Sequence, residues 1–232
     1  MSPVPVLVEL YTSEGCSSCP PADAFLQTLD RQPVPGAEMI VLSEHVDYWN
    51  HIGWRDPFSS SFYSDRQNAY GRRFGLESVY TPQMVVDGAE EFVGSDHAAA
   101  EKAFAKEINT PKIAVRLSAI AIDATNALRV HVEVGPLPSS PGKSDPEIYV
   151  VVALNRAESH VARGENEGRT LTHAAVAESM TKVGVVQSMQ GFSRDVELKV
   201  KAGLDPANLR LVAFVQEARQ GRILGATAQP VK

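Results

Sequence analysis

The chain has 232 residues, with 22 basic against 28 acidic side chains and a formal charge of −6. That balance offers no basic stripe for nucleic acid or anionic lipid, and the longest apolar run, Ile148 to Leu154, is far short of the ~20 residues a bilayer span requires. A chain this long can bury a core without stapling, so its two cysteines, Cys16 and Cys19, are not needed for stability.

The first element, "PVLVELYT" at 5–12, reads as a buried strand rich in Val and Leu. No basic flank or cleavage site precedes it, so the sequence displays no signal peptide. The stretch "EGCSSCPP" follows directly. Ala22, Phe25, Leu26 and Leu29 then recur at i, i+3, i+4 and i+7, one apolar helical stripe. "MIVLSEH" is a second buried strand. A helix is expected between "DPFSSS" and Gly75, a short strand in "YTPQMVVDG", and a hairpin return in "EEFVG". "SDHAAAEKAFAKEI" carries Ser95 or Asp96 as N-cap of an Ala-rich helix. This order predicts an α/β domain with a parallel pair joined by a crossover.

Beyond Asn109 the pattern changes. "LRVHVEV" places Leu128, Val130, Val132 and Val134 on one face, and "VELKVKA" repeats the alternation. "KIAVRLSAIAI", "EIYVVVALN" and "LRLVAFVQE" are further strand candidates. The stretch from Gly135 to Pro146 reads as a long hairpin loop. The expectation is an antiparallel β-sandwich over residues 110–232, following an α/β domain over residues 1–109.

The C-x-x-C at the end of a buried strand and ahead of a helix has the spacing of a thioredoxin-like redox motif. Helix-terminal N–H groups and the macrodipole favour a thiolate on the first cysteine, and two intervening residues let the second close a disulfide. Cys16 would attack and Cys19 would resolve. A pure brace is disfavoured, because so short a ring constrains the unfolded chain little. Structural zinc lacks a second ligand pair, and reduced core cysteines stay a bland alternative. Pro20-Pro21 removes two N–H groups just after the pair and points to a later start for the regular helix.

The loop after the second strand should share the crevice of the cysteines, because loops beyond the carboxyl ends of neighbouring strands lie together. His45 could shuttle a proton there, oriented by Asp47. Tyr48 and Trp49 either pack under that loop or line a cleft for an extended substrate. His45 could instead join both cysteines as a ligand for copper or zinc, with His51 or Asp56 in reserve; that is the alternative to redox chemistry. Near "RGENEGRTLTH", Arg163, Glu165 and Asn166 most simply satisfy backbone groups at a domain contact. His97 and His131 carry no assigned role.

Thr81-Pro82 stands just before the "QMVVD" strand. With the cysteine pair it resembles the thioredoxin superfamily, whose cis-proline lies against the two cysteines. That resemblance implies Pro82 in the reactive groove and Thr81 beside the substrate. More narrowly, "ELYTSEGCSSCPPAD", "HVDYW", "GWRDPF", "VYTPQMVVDG", "RGENEGRTLTHAAV" and "LVAFVQ…ILGA" resemble the domain of unknown function 1223 family. This implies a thioredoxin-like fold and export to the bacterial periplasm. The expected function is thiol–disulfide exchange with a protein or small thiol, with no organic cofactor required.

Overall fold

The computed structural model describes residues 3–137, 144–187 and 190–231. Part of the expected hairpin loop, 138–143, lies outside them. β1 (Val4–Thr12) leads into α1 (Pro20–Arg31), β2 (Ala37–His45), α2 (Ser61–Phe74), the hairpin β3 (Gln83–Val86) and β4 (Glu90–Val93), and α3 (His97–Glu107). β5 (Val115–Ile122), β6 (Ala127–Val134), β7 (Glu147–His160), β8 (Thr170–Val185), β9 (Phe192–Lys199), β10 (Leu209–Gln216) and β11 (Ile223–Pro230) complete the chain.

β1 and β2 form the expected parallel pair, Val4 opposite Ala37 through Thr12 opposite His45, with α1 as the crossover. The helix ends follow local chemistry. Asp96 caps α3 by accepting from the Ala99 N–H at 3.0 Å, and Gly75 ends α2 in the left-handed region at φ +72°. α1 starts earlier than the sequence suggested. Its prolines occupy the first two helical positions, where an N–H has no intrahelical acceptor in any case, and Cys19 is the N-cap.

The larger departure is in the sheet. An α/β thioredoxin-like domain followed by a separate antiparallel sandwich was expected, but the molecule is mostly β and built on one mixed sheet of eight strands. Its order is β11-β10-β7-β8-β2-β1-β3-β4, beside a three-stranded sheet β5-β6-β9. The seam is the parallel contact of β2 with β8 at Ser43 and Val176. Alternation along a strand determines which face is buried but not which edge it pairs with. β1 occupies one side of β2, so the other side presents unpaired backbone groups, and β8 covers them.

Both faces of this sheet are buried. Val6, Val8, Leu10 and Val41 pack under α1 and α3 with Ala22, Leu26, Ala100 and Phe104. Ile148, Val150, Val152, Leu209 and Leu211 face the three-stranded sheet through Leu128, Val130 and Val132. Leu7, Ile40, Leu42, Val151, Val212 and Phe214 lie on the opposite side, with Tyr63 of α2. No helix among the described residues is long and apolar enough to cross a membrane.

On the α2 side a charged set is buried in this core. Arg66 donates from Nε to Glu9 Oε1 at 2.7 Å and from Nη2 to Gln216 Oε1 at 3.0 Å. Tyr70 donates its hydroxyl to Glu9 Oε2 at 2.7 Å. Burial, then the neighbouring Glu9 charge, push the Glu44 carboxyl well above the usual range, so it stays neutral although Arg66 lies 3.7 Å away. One arginine therefore balances one carboxylate. Replacing it by Arg66→Met leaves the buried Glu9 without its cation, and urea denaturation should show a loss of about 3–5 kcal/mol. A loss under about 1 kcal/mol would mean the pair contributes little.

Candidate functional site

β1 ends at Thr12, and residues 13–19 turn the chain into α1. Cys16 and Cys19 are joined in a disulfide with their Cα atoms 5.4 Å apart. The turn is helical in character: the Cys16 N–H donates to Ser13 O at 3.1 Å and the Cys19 N–H to Cys16 O at 3.2 Å. Ser18 Oγ lies 3.4 Å from Cys16 Sγ. Both cysteines are 0% exposed, beneath the exposed Ser17 and Ser18.

The Thr81–Pro82 peptide is cis. A Cβ built on Gly94 would lie 3.2 Å from Pro82 Cβ, 3.1 Å from Ala22 Cβ and 2.7 Å from Leu10 Cδ1. Pro82 and the first turn of α1 thus converge on one glycine, which has no room for a side chain. Trp49 links this step to the cysteine turn. Its Nε1 donates to Thr81 Oγ1 at 2.8 Å, and its Cβ would stand 3.1 Å from a Cβ on Gly15.

The other expected residues divide. Tyr48 donates its hydroxyl to Gln67 Oε1 at 3.1 Å, and burial pushes that hydroxyl up to about 12. Asp47 accepts from Ser64 Oγ at 2.5 Å and so pins the start of α2. His45, at the end of β2 and fully buried, is oriented by Asp56 instead, Nδ1 to Oδ2 at 2.7 Å. Burial opposes the Asp56 charge, but His45 beside it and the N–H groups of Glu14 and Phe58 hold its carboxyl below the usual range. Among the described residues the only hydrogen-bond contact at either sulfur is with Ser18, and no three His, Cys, Asp or Glu side chains gather as a metal site. With its two sulfurs bonded to each other, the pair offers no thiolate to copper or zinc in this state. His51 is exposed.

Sequence reasoning missed a buried polar cluster behind the turn. His173 of β8 lies with Nε2 3.4 Å from Glu14 Oε1 and Nδ1 3.5 Å from Asp23 Oδ1, and its ring centroid is 4.6 Å from that of His45. Burial works against the imidazolium, but the Asp23 and Glu14 charges outweigh it and push the group up to about 10. Glu14 precedes Cys16 by two residues, and Asp23 follows Cys19 by one helical turn, so the cation ties together both flanks of the disulfide. Glu14 also accepts from Trp54 Nε1 at 2.7 Å. The signal available in the sequence was "LTHAAVA", a histidine in a stretch without charge, yet nothing local pairs it with residues some 150 positions away.

The raised His173 value carries a sign. The folded state holds this proton more tightly than the unfolded one, so its stabilisation is complete below about pH 6.5 and is lost as pH rises toward 10. Urea denaturation at pH 6.5 and pH 9.5 should show native protein losing on the order of a few kcal/mol across that window. His173→Gln should flatten the dependence; equal slopes in the two proteins would refute the buried cation.

Comparison with known proteins places this geometry in context. A sequence profile described as "Protein of unknown function (DUF1223)" matches residues 7–216. A crystal structure of a protein from Agrobacterium tumefaciens, 24% identical, superposes with a TM-score of 0.76 over 100% of this chain and 96% of that one. HBP35 of Porphyromonas gingivalis, 15% identical, superposes with a TM-score of 0.71 over 100% of this chain and 76% of that one. Both likenesses concern the fold. No curated protein matches the chain. With nearly its whole length under one profile, the chain belongs to the DUF1223 family of proteins of unknown function.

Proposed function

We propose that the protein is a thiol–disulfide oxidoreductase whose working group is the Cys16–Cys19 pair. The observation that carries this reading is the bond itself, closed across two residues between a buried strand and the first turn of a helix. A ring this small stabilises a fold by only about 2 kcal/mol in the chain-entropy account, and the apolar clusters on both faces of the sheet do not depend on it. Ease of opening and closing explains the pair better than bracing does.

In the reducing direction, the Cys16 thiolate attacks one sulfur of a substrate disulfide and displaces the other as a thiolate. Cys19 then attacks Cys16 Sγ and releases the second substrate thiolate, so two electrons leave the protein as its own disulfide forms. The reverse sequence oxidises a dithiol substrate. Pro82 and Thr81, with Trp49, Tyr48 and Asp47 behind them, shape the approach of a protein or small thiol. His45, held by Asp56, serves proton handling behind the turn without touching the sulfurs. Residues 1–109 carry the chemistry, and residues 110–232 control access to it. An exported, oxidising compartment suits a closed pair.

Both sulfurs are covered, so exchange needs a local opening and not mere diffusion to an exposed bond. Native protein equilibrated in glutathione buffers, quenched with acid and alkylated, should pass fully between disulfide and dithiol. Cys19→Ala should accumulate a mixed disulfide on Cys16, and Cys16→Ala should show none. A bond that resists reduction until the protein is denatured, or full exchange by Cys16→Ala, would overturn the reading.

A further inference from the structure

The connection between β7 and β8 is an ordered turn. Val161 N–H donates to Arg169 O at 2.9 Å, Gly168 N–H to Val161 O at 2.8 Å and Glu167 N–H to Gly164 O at 3.1 Å. Gly164 and Gly168 bracket it at φ +86° and +78°, a region that side-chain-bearing residues seldom enter. The turn lies against the backbone of the segment that carries Cys16. Asn166 is 1% exposed between the exposed Glu165 and Glu167, and its Nδ2 donates to the carbonyl oxygens of both Glu14 and Cys16 at 2.9 Å each. Its Oδ1 accepts from Arg169 Nη1 at 2.9 Å. Glu165 accepts the Ser17 N–H at 3.0 Å, and Gly164 packs on the backbone of residues 52–54.

Three hydrogen bonds from two adjacent residues therefore close on peptide groups within residues 14–17, the segment that carries the attacked sulfur. A buried side-chain amide placed between the carbonyls of Glu14 and Cys16 is an expensive arrangement for a loop with no further role, since an Asn costs free energy to desolvate unless both ends are satisfied. The hydrogen bonds from residues 163–168 to the cysteine segment come from Glu165 and Asn166 alone, with Gly164 adding packing on residues 52–54. The β7–β8 ladder beneath it, paired as far as His160 and Thr170, can stay intact while the turn moves about its glycines.

We propose that residues 163–168 are a strap that closes the disulfide and must lift before a thiol reaches Cys16, an inference that rests on the redox reading above. It makes the second half of the chain the gate to chemistry carried by the first. Access is then governed by Asn166 and Glu165, with no change required at the cysteines.

The test is the rate of disulfide reduction in folded full-length protein against dithiothreitol concentration, repeated at urea concentrations below the unfolding transition. Native protein should reach a plateau rate set by opening, nearly independent of urea. The double variant Glu165→Ala/Asn166→Ala should raise that plateau about tenfold, the factor implied by losing these bonds. Rates proportional to dithiothreitol throughout and equal in both proteins would refute the strap while leaving the redox reading intact. Rates that climb with urea in step with global unfolding in both proteins would overturn strap and redox reading together. If circular dichroism shows the double variant unfolded, Glu165→Ala alone alters only an exposed side chain and should give about threefold; no gain there refutes the strap.

Discussion

The free edge of β2 is the constraint on which the rest of this molecule depends. A strand in the middle of a buried layer cannot leave its N–H and C=O groups unpaired, and β8 is the element that meets them. The contact is brief, a parallel pairing at Ser43 and Val176, yet it fixes where the whole β7–β8 hairpin lies. Its outer end is carried over the start of α1, which sets Asn166 and Glu165 against the cysteine turn, and its inner residues bring His173 between Glu14 and Asp23.

The two charged sets lie on opposite faces of the large sheet. Alternation sends Glu9 of β1 and Glu44 of β2 toward α2, where Arg66 balances Glu9 and the second carboxyl stays neutral. His45 of β2 and His173 of β8 point the other way, with Asp56, Glu14 and Asp23 as their carboxylates. Each set contains a cation inside a carboxylate shell, because an unpaired charge at such depth would be far costlier than the pair. The difference is location. The first welds a helix to the sheet away from the cysteines, whereas the second grips both sides of the disulfide turn.

Both sulfurs lie buried beneath Ser17 and Ser18, so the exchange chemistry proposed for them belongs to an opened state. The cis Thr81–Pro82 step is bound to Trp49 and packs with the first turn of α1 on Gly94, so it is fixed in place beside the cysteine turn.

Local patterns in the sequence determined the local structure. Apolar runs located β1 and β2, period-two alternation located β6 and β9, apolar stretches between turns marked β5, β7 and β10, the stripe from Ala22 to Leu29 located α1, and Asp96 marked the start of α3. The disulfide spacing was also legible, since it follows from chemistry within a few residues; that Glu165 and Asn166 would bond to backbone was expected, but the peptide groups they meet, some 150 positions away, were not. β8 and β11 were not, because "THAAVAES" and "ILGATAQP" mix small and polar residues and show neither a clean alternation nor an apolar run. Tertiary structure alone decided that two expected layers are one sheet, that Asp56 and not Asp47 holds His45, and that His173 is a buried cation. The physical reason is the same in each case: a strand's pattern states which of its faces avoids water, while edge pairing and charge pairing depend on partners that only the folded chain brings within reach.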